Sequence, residues 1–332
     1  MNKKEIQIKI SQVASSLSRE CKFKECVFPD HSSCSKKVIK AHSIQKNKIL
    51  NYIADNGKVI TADSQKTLFT DEFEKIGINS ASTFFGFCSY HDAKIFSEIE
   101  NKEYAGRIEQ NFLHSYRACA LEYVKRKVSV CVYEKAIERY HINPYEKMAP
   151  KKLNGELRGE KDYISILEQF SNELTKSKDE RNFNIISSKI FQLPYESLMA
   201  VNESFPIEYD FQENLINDLA DTSKRPAPIF LTIFPYNGKT FILFSWLSED
   251  WETYQSIISK LEMFTHSEKE IFFSNLIICH GNNFFISPSK YFQMPNKLRK
   301  LLGTQYRKIL MTEFQSDYLS RGGINLFKAF RK

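Results

Sequence analysis

Four of the chain's seven cysteines, Cys21, Cys26, Cys34 and Cys88, fall in its first 90 residues, beside His31, His42 and His91. No other feature restricts the fold as much. In a reducing compartment, thiols and imidazoles gathered this way read as a metal site rather than a disulfide framework. The spacing is Cys21-x4-Cys26-x7-Cys34-x7-His42, then 45 residues, then Cys88-x2-His91-Asp92. Zinc takes four tetrahedral nitrogen or sulfur ligands, commonly as two close pairs. Cys88 and His91 form one such pair at a helix start. The other pair is Cys21 with Cys26, or Cys26 with Cys34. A set of Cys26, Cys34, His42 and Cys88 is also complete, with His42 as a ligand. His31 lies in a Pro-Asp-His-Ser-Ser turn and reads as exposed.

The remaining composition mostly excludes. A chain of 332 residues, 42% hydrophobic and 26% charged, is long enough for two or three domains with real cores and is not globally disordered. Only 11 glycines argue against collagen-like and many-turned sandwich folds. The net charge of +7 permits a polyanionic partner without demanding one. No apolar run is long enough to span a bilayer. The N-terminal stretch has no apolar region typical of a secretory signal. The expectation is a cytoplasmic protein with reduced thiols and no membrane partner. No phosphate-binding loop, dinucleotide fingerprint or nucleophile elbow occurs.

Along the chain, Ile6, Ile10, Val13 and Leu17 have helical spacing. Lys58–Thr61 reads as a short strand after an Asn56-Gly57 turn, and residues 82–99 pass from a strand into a helix at Cys88. Residues 102–142 read as a long helix with Phe112, Tyr116 and Tyr123 in its core, residues 144–160 as a linker rich in proline, glycine and charge, and residues 161–181 as a second helix. Residues 185–191, 227–247 and 274–288 read as strands. The middle run holds a hairpin turning at Asn237-Gly238. Helices are expected near 249–261 and 295–311. The predicted fold class is α+β: a small zinc-bound domain (residues 1–100), a helical connector (101–183), and an α+β domain with an antiparallel sheet (184–332).

The strings Ala41-His42-Ser43-Ile44 and Phe87-Cys88-Ser89-Tyr90-His91-Asp92 resemble the two halves of the motif of HNH-type (His-Me finger) nucleases, over residues 21–100. In that family a histidine ending a strand activates water. A residue just past the second zinc ligand helps hold a divalent cation at the scissile phosphate. The resemblance therefore implies His42 as the general base and Asp92 as a ligand of Mg2+ or a similar ion. It also implies Cys88, His91 and two earlier cysteines as ligands of a structural zinc, in a ββα or treble-clef-like N-terminal domain. The family's middle asparagine is absent, with Ser82 and Thr83 near its place, and Asp92 replaces its final histidine. A hard carboxylate suits magnesium.

The sequence-based expectation is a zinc-containing nucleic-acid-binding protein, DNA before RNA, with metal-dependent phosphodiester cleavage. HNH-like modules joined to other domains also resemble bacterial anti-phage and mobile-element defence proteins. The competing expectation is a non-catalytic, zinc-stabilised adaptor whose C-terminal domain senses a ligand or protein partner. Lys125-Arg126-Lys127, Lys151-Lys152 and Arg299-Lys300 offer phosphate contacts. Cys279-His280 is expected to end a strand, with its two side chains on opposite faces.

Overall fold

Burial on both faces explains why the aromatic and β-branched runs form strands. The computed structural model describes residues 12–13, 16–35, 37–62, 72–139, 148–311, 319 and 322–332. Its main elements in chain order begin with β1 (Val38–His42), β2 (Lys58–Thr61), β3 (Glu74–Gly77), β4 (Thr83–Cys88) and α1 (Ser89–Ile95). The long helices α2 (Ile108–Arg139) and α3 (Met148–Thr175) follow. Then come β5 (Ile186–Leu193), β6 (Met199–Pro206), β7 (Pro228–Tyr236), β8 (Lys239–Leu247), α4 (Trp251–Met263), α5 (His266–His280), β9 (Phe284–Ile286), α6 (Pro288–Gln293) and α7 (Asn296–Met311).

The chain divides into two units built from interleaved segments. One comprises Met1–Ala41, Phe84–Ser97 and Cys119–Arg181; the other comprises His42–Thr83, Glu98–Ala118 and Asn182–Lys332. The sequence suggested contiguous parts meeting near residues 100 and 183. Instead, the stretch between the two halves of the cysteine cluster supplies β2 and β3 to the larger unit.

That unit is organised around a seven-stranded sheet of order β3-β2-β9-β6-β7-β8-β5, whose neighbouring strands pair antiparallel. Successive side chains of a strand point to opposite faces. Ile242, Phe244 and Trp246 of β8 accordingly join one core cluster, with Tyr254 and Ile257 of α4 and Phe273 and Leu276 of α5. Leu243 joins a second cluster with Ile49, Leu50, Val59 and Phe285. With both faces covered, the strands read as continuous apolar runs rather than alternating ones. The hairpin expected at Asn237-Gly238 is present. Tyr236 pairs with Lys239, and both turn residues have positive φ, 49° and 77°.

The smaller unit contains most of α2 and all of α3. Tyr163, Ile166, Leu167 and Phe170 of α3 are buried. Arg126 of α2 pairs with Glu156 of α3, and Lys127 with Glu160. These basic residues therefore serve helix packing rather than offering free phosphate contacts. Strand β1 pairs with β4 in a two-stranded sheet, and α1 follows β4 directly. Gly86 in β4 lies where a Cβ would stand 2.5 Å from the Phe84 ring and 3.3 Å from Val124.

Two expected elements differ. The linker placed at 144–160 is helical from Met148, because Pro150 lies in the first helical turn, where no amide hydrogen bond is lost; residues 140–147 lie outside the described residues. The run 274–288 begins as the second half of helix α5, which continues to His280, with strand only at Phe284–Ile286. A capping box of Thr265 and Glu268 starts α5, and its buried sides give it the apolar run of a strand. Cys279 and His280 thus end a helix. Of the expected lead-in helix, residues 16–20 are helical, whereas residues 1–11 lie outside the described residues.

Gly238→Val places a β-branched residue at φ 77° and should lower unfolding free energy by ~1–2 kcal/mol. A lower urea midpoint at unchanged slope is expected; an unchanged midpoint would contradict the turn geometry.

Candidate metal centre

Two chain segments meet to build the centre, and backbone hydrogen bonds hold them in register. Val27 N–H donates to Gly86 O at 2.8 Å, and Ser89 N–H to Lys37 O at 3.3 Å. The loop carrying Cys26 and Cys34 is thereby fixed against the end of β4 and the start of α1, which carry Cys88 and His91. Cys88 is the N-cap of α1, and its Sγ accepts from His91 N–H at 3.4 Å. Cys26 Sγ accepts from Cys88 N–H at 3.4 Å.

The result is a group of four, Cys26, Cys34, Cys88 and His91, whose ligand atoms all lie within 4.8 Å of one another and can hold a metal ion. His91 Nδ1 stands 3.4, 3.5 and 3.3 Å from the sulfurs of Cys26, Cys34 and Cys88. The other ring nitrogen points away. Nε2–H donates to Ser33 Oγ at 3.1 Å, and Ser33 Oγ–H donates to Asp30 Oδ2 at 2.5 Å. This is the only proton order that satisfies both contacts when Asp30 is ionised, since its carboxylate can only accept. The relay therefore leaves the Nδ1 lone pair facing the thiols, as a metal-ligating histidine requires. Phe28 packs over the imidazole, ring centres 4.6 Å apart.

Electrostatics show what the group lacks without a cation. Burial pushes the Cys26 thiol up, and burial together with the neighbouring thiols pushes Cys34 up to about 12. Burial also acts against Cys88, but hydrogen bonds from His91 N–H and Ser35 outweigh it and bring Cys88 down to about 7. Burial lowers His91, keeping the ring neutral. Hydrogen bonds from Ser32 and Ser33 hold Asp30 down at about 2. Three thiolates cannot crowd together unaided; a divalent ion at the centre removes the conflict.

Two expected site residues stand elsewhere. Cys21 is not with the other cysteines: it is disulfide-bonded to Cys131 of α2, Cα atoms 5.7 Å apart. The short helix before it positions it there. Cys21 N–H donates to Leu17 O, and Glu20 pairs with Lys135 and Arg139 of α2. The expectation of uniformly reduced thiols did not foresee this bond. His42 also lies outside the group. At the end of β1, half-buried, its Nε2–H donates to Ile78 O at 3.0 Å. Burial lowers its pKa, with the Ile78 carbonyl acting the other way. The four-residue set that used His42 as a ligand is therefore not the one assembled. Asp92 sits in the first turn of α1. His31 is exposed, as expected.

No protein-family model, curated protein or solved structure matches the chain. No helix among the described residues is long and apolar enough to cross a membrane.

Sequence reasoning missed the Asp30–Ser33 relay and the Cys131 partner. The relay had a signal, a carboxylate and a hydroxyl three residues apart in a turn beside a cysteine. The disulfide had none, since its halves are 110 residues apart.

Cys34→Ala and His91→Ala should each abolish metal retention through dialysis, whereas Cys21→Ser and His42→Ala should keep it, measured as metal per chain. Retention by His91→Ala, or loss in His42→Ala, would contradict this ligand set.

Proposed function

We propose that the protein is a nucleic-acid-binding protein whose Cys26, Cys34, Cys88 and His91 hold a structural zinc ion. The supporting observation is the donor set. Three sulfurs and one imidazole nitrogen complete a tetrahedral shell and leave no open position for water, the mark of structural rather than catalytic zinc. Zn–S and Zn–N bonds of about 2.3 and 2.0–2.1 Å place tetrahedral sulfur and nitrogen roughly 3.5 Å apart. The separations found, 3.3–3.5 Å, fit such an ion. The net charge of +7 favours a polyanionic partner. It is reinforced locally: between Glu270 and Glu313 there are six Lys and Arg residues and no Asp or Glu.

A second reading, metal-dependent phosphodiester cleavage of DNA in anti-phage or mobile-element defence, is favoured by one observation. The zinc set is complete without His42, which leaves that imidazole available at the end of β1. The β1–β4 pair followed by α1 also matches the ββα order expected of HNH-type domains. In that reading, His42 is neutral and keeps one ring nitrogen, Nδ1, as a proton acceptor while Nε2–H is held by the Ile78 carbonyl. Asp92 would hold the cation, which would supply charge stabilisation at the phosphate.

The test is binding and nicking of supercoiled plasmid in magnesium. Wild-type protein with one zinc per chain should retard nucleic acid. If the second reading holds, His42→Ala should keep zinc and binding but lose nicking by about 10²-fold or more. Nicking equal in wild type and His42→Ala would remove the second reading alone. No nucleic-acid binding by the zinc-loaded protein would remove both.

A further inference from the structure

Phe292 is an anomaly in a chain with 27 phenylalanines. Among the described residues it is the only exposed one, at 56%. Exposing a benzyl ring forfeits apolar burial that the other phenylalanines obtain. Nor is the ring loose. Its edge packs against the buried Tyr291, ring centres 5.3 Å apart and near perpendicular. Tyr291 in turn stacks on Phe73 inside the core, at 5.8 Å.

Cations surround the exposed ring. The Lys75 ammonium lies 5.5 Å from its centre and the Arg299 guanidinium 5.6 Å. Arg299 also donates to the Phe292 carbonyl at 3.2 Å, which ties the start of α7 to the end of α6. Lys297 and Lys300, beside Arg299, are exposed, and Lys290 is half-exposed. These groups occupy the acid-free stretch between Glu270 and Glu313. Two acids also lie close: Glu74 adjoins Lys75 in β3, and Glu72, just before that strand, acts electrostatically on Tyr291.

An exposed aromatic ring set among lysines and an arginine matches the chemistry of single-stranded nucleic acid. Every base has a π-face that stacks on such a ring, while the cations take the phosphates. Duplex DNA hides its base faces, so it can use the cations but not the ring. A cation over an exposed, hydrated ring is held only weakly. An incoming base can therefore displace Lys75 or Arg299 onto a phosphate at small cost.

We propose that Phe292, with Lys75 and Arg299 over its ring and the exposed Lys297 and Lys300 on the same helix as Arg299, is the stacking platform of a binding face for single-stranded nucleic acid. This rests on the nucleic-acid-binding reading above and names its substrate class and surface.

Fluorescence anisotropy of labelled dT20, rU20 and a 20-base-pair duplex, titrated with full-length zinc-loaded protein at several salt concentrations, tests it. Either single strand should bind more tightly than the duplex, and the stronger of the two identifies the sugar. Phe292→Ala should weaken single-strand binding roughly tenfold or more with little effect on the duplex, and Phe292→Trp should restore it. The triple change Lys297→Ala, Arg299→Ala, Lys300→Ala should weaken both and flatten the single-strand salt slope by about 2. An exposed ring can be changed without unfolding the chain, which circular dichroism checks. If wild type binds single strands and Phe292→Ala binds them equally well, this face is overturned and the nucleic-acid reading stands. Preference for the duplex likewise overturns the stacking platform. If wild type binds none of the three, the nucleic-acid reading fails and takes this face with it.

Discussion

Three thiols and an imidazole converge on one point, and that convergence is the constraint on which the smaller unit depends. Without a cation the group is in electrostatic conflict, since each thiolate raises the cost of the next. Burial and then the neighbouring thiols hold Cys34 up at about 12, while hydrogen bonds from His91 N–H and Ser35 bring Cys88 down to about 7. A divalent ion turns it into cohesion, because metal binding energy becomes folding energy when the site exists only in the folded chain. The ion would join a loop at Cys26 and Cys34 to the β4–α1 junction. The Cys21–Cys131 bond adds a second staple across 110 residues, worth about 4–5 kcal/mol in chain entropy.

The surrounding residues prepare the ligands rather than merely enclose them. Asp30 holds Ser33, and Ser33 holds Nε2 of His91, so the lone pair on Nδ1 is aimed before any ion arrives. Amide hydrogens of Cys88 and His91 point at sulfurs that will carry negative charge. His42 is excluded from the centre by its own commitment to the Ile78 carbonyl. A metal held by the four ligands would therefore be separate from any chemistry at His42.

Parts of this were legible from the residues. The Cys88-x2-His91 pair at a helix start, the Asn237-Gly238 hairpin and strand Lys58–Thr61 follow from local rules of spacing and turn chemistry. Others depend on contacts remote in sequence. Spacing does not distinguish a Cys21–Cys26 pair from Cys26–Cys34; the Val27–Gly86 hydrogen bond and the Cys131 partner do. Nor does the pattern of β2 reveal which sheet it joins, because its neighbour β9 lies more than 200 residues onward. Helix α5 carries a strand-like pattern for a physical reason: burial on most sides erases the polar stripe that marks a helix. Phe292 is the reverse case. Its residue type predicts burial, and only the structure shows it exposed among cations.

The central claim is that one zinc ion is bound by Cys26, Cys34, Cys88 and His91. Zinc K-edge X-ray absorption on the purified chain measures that shell directly. The account predicts three sulfur neighbours at about 2.3 Å and one nitrogen at about 2.0–2.1 Å, with imidazole outer-shell scattering from a single ring. A shell with two imidazoles, four sulfurs or bound water oxygen, or a chain that retains no zinc, would contradict it.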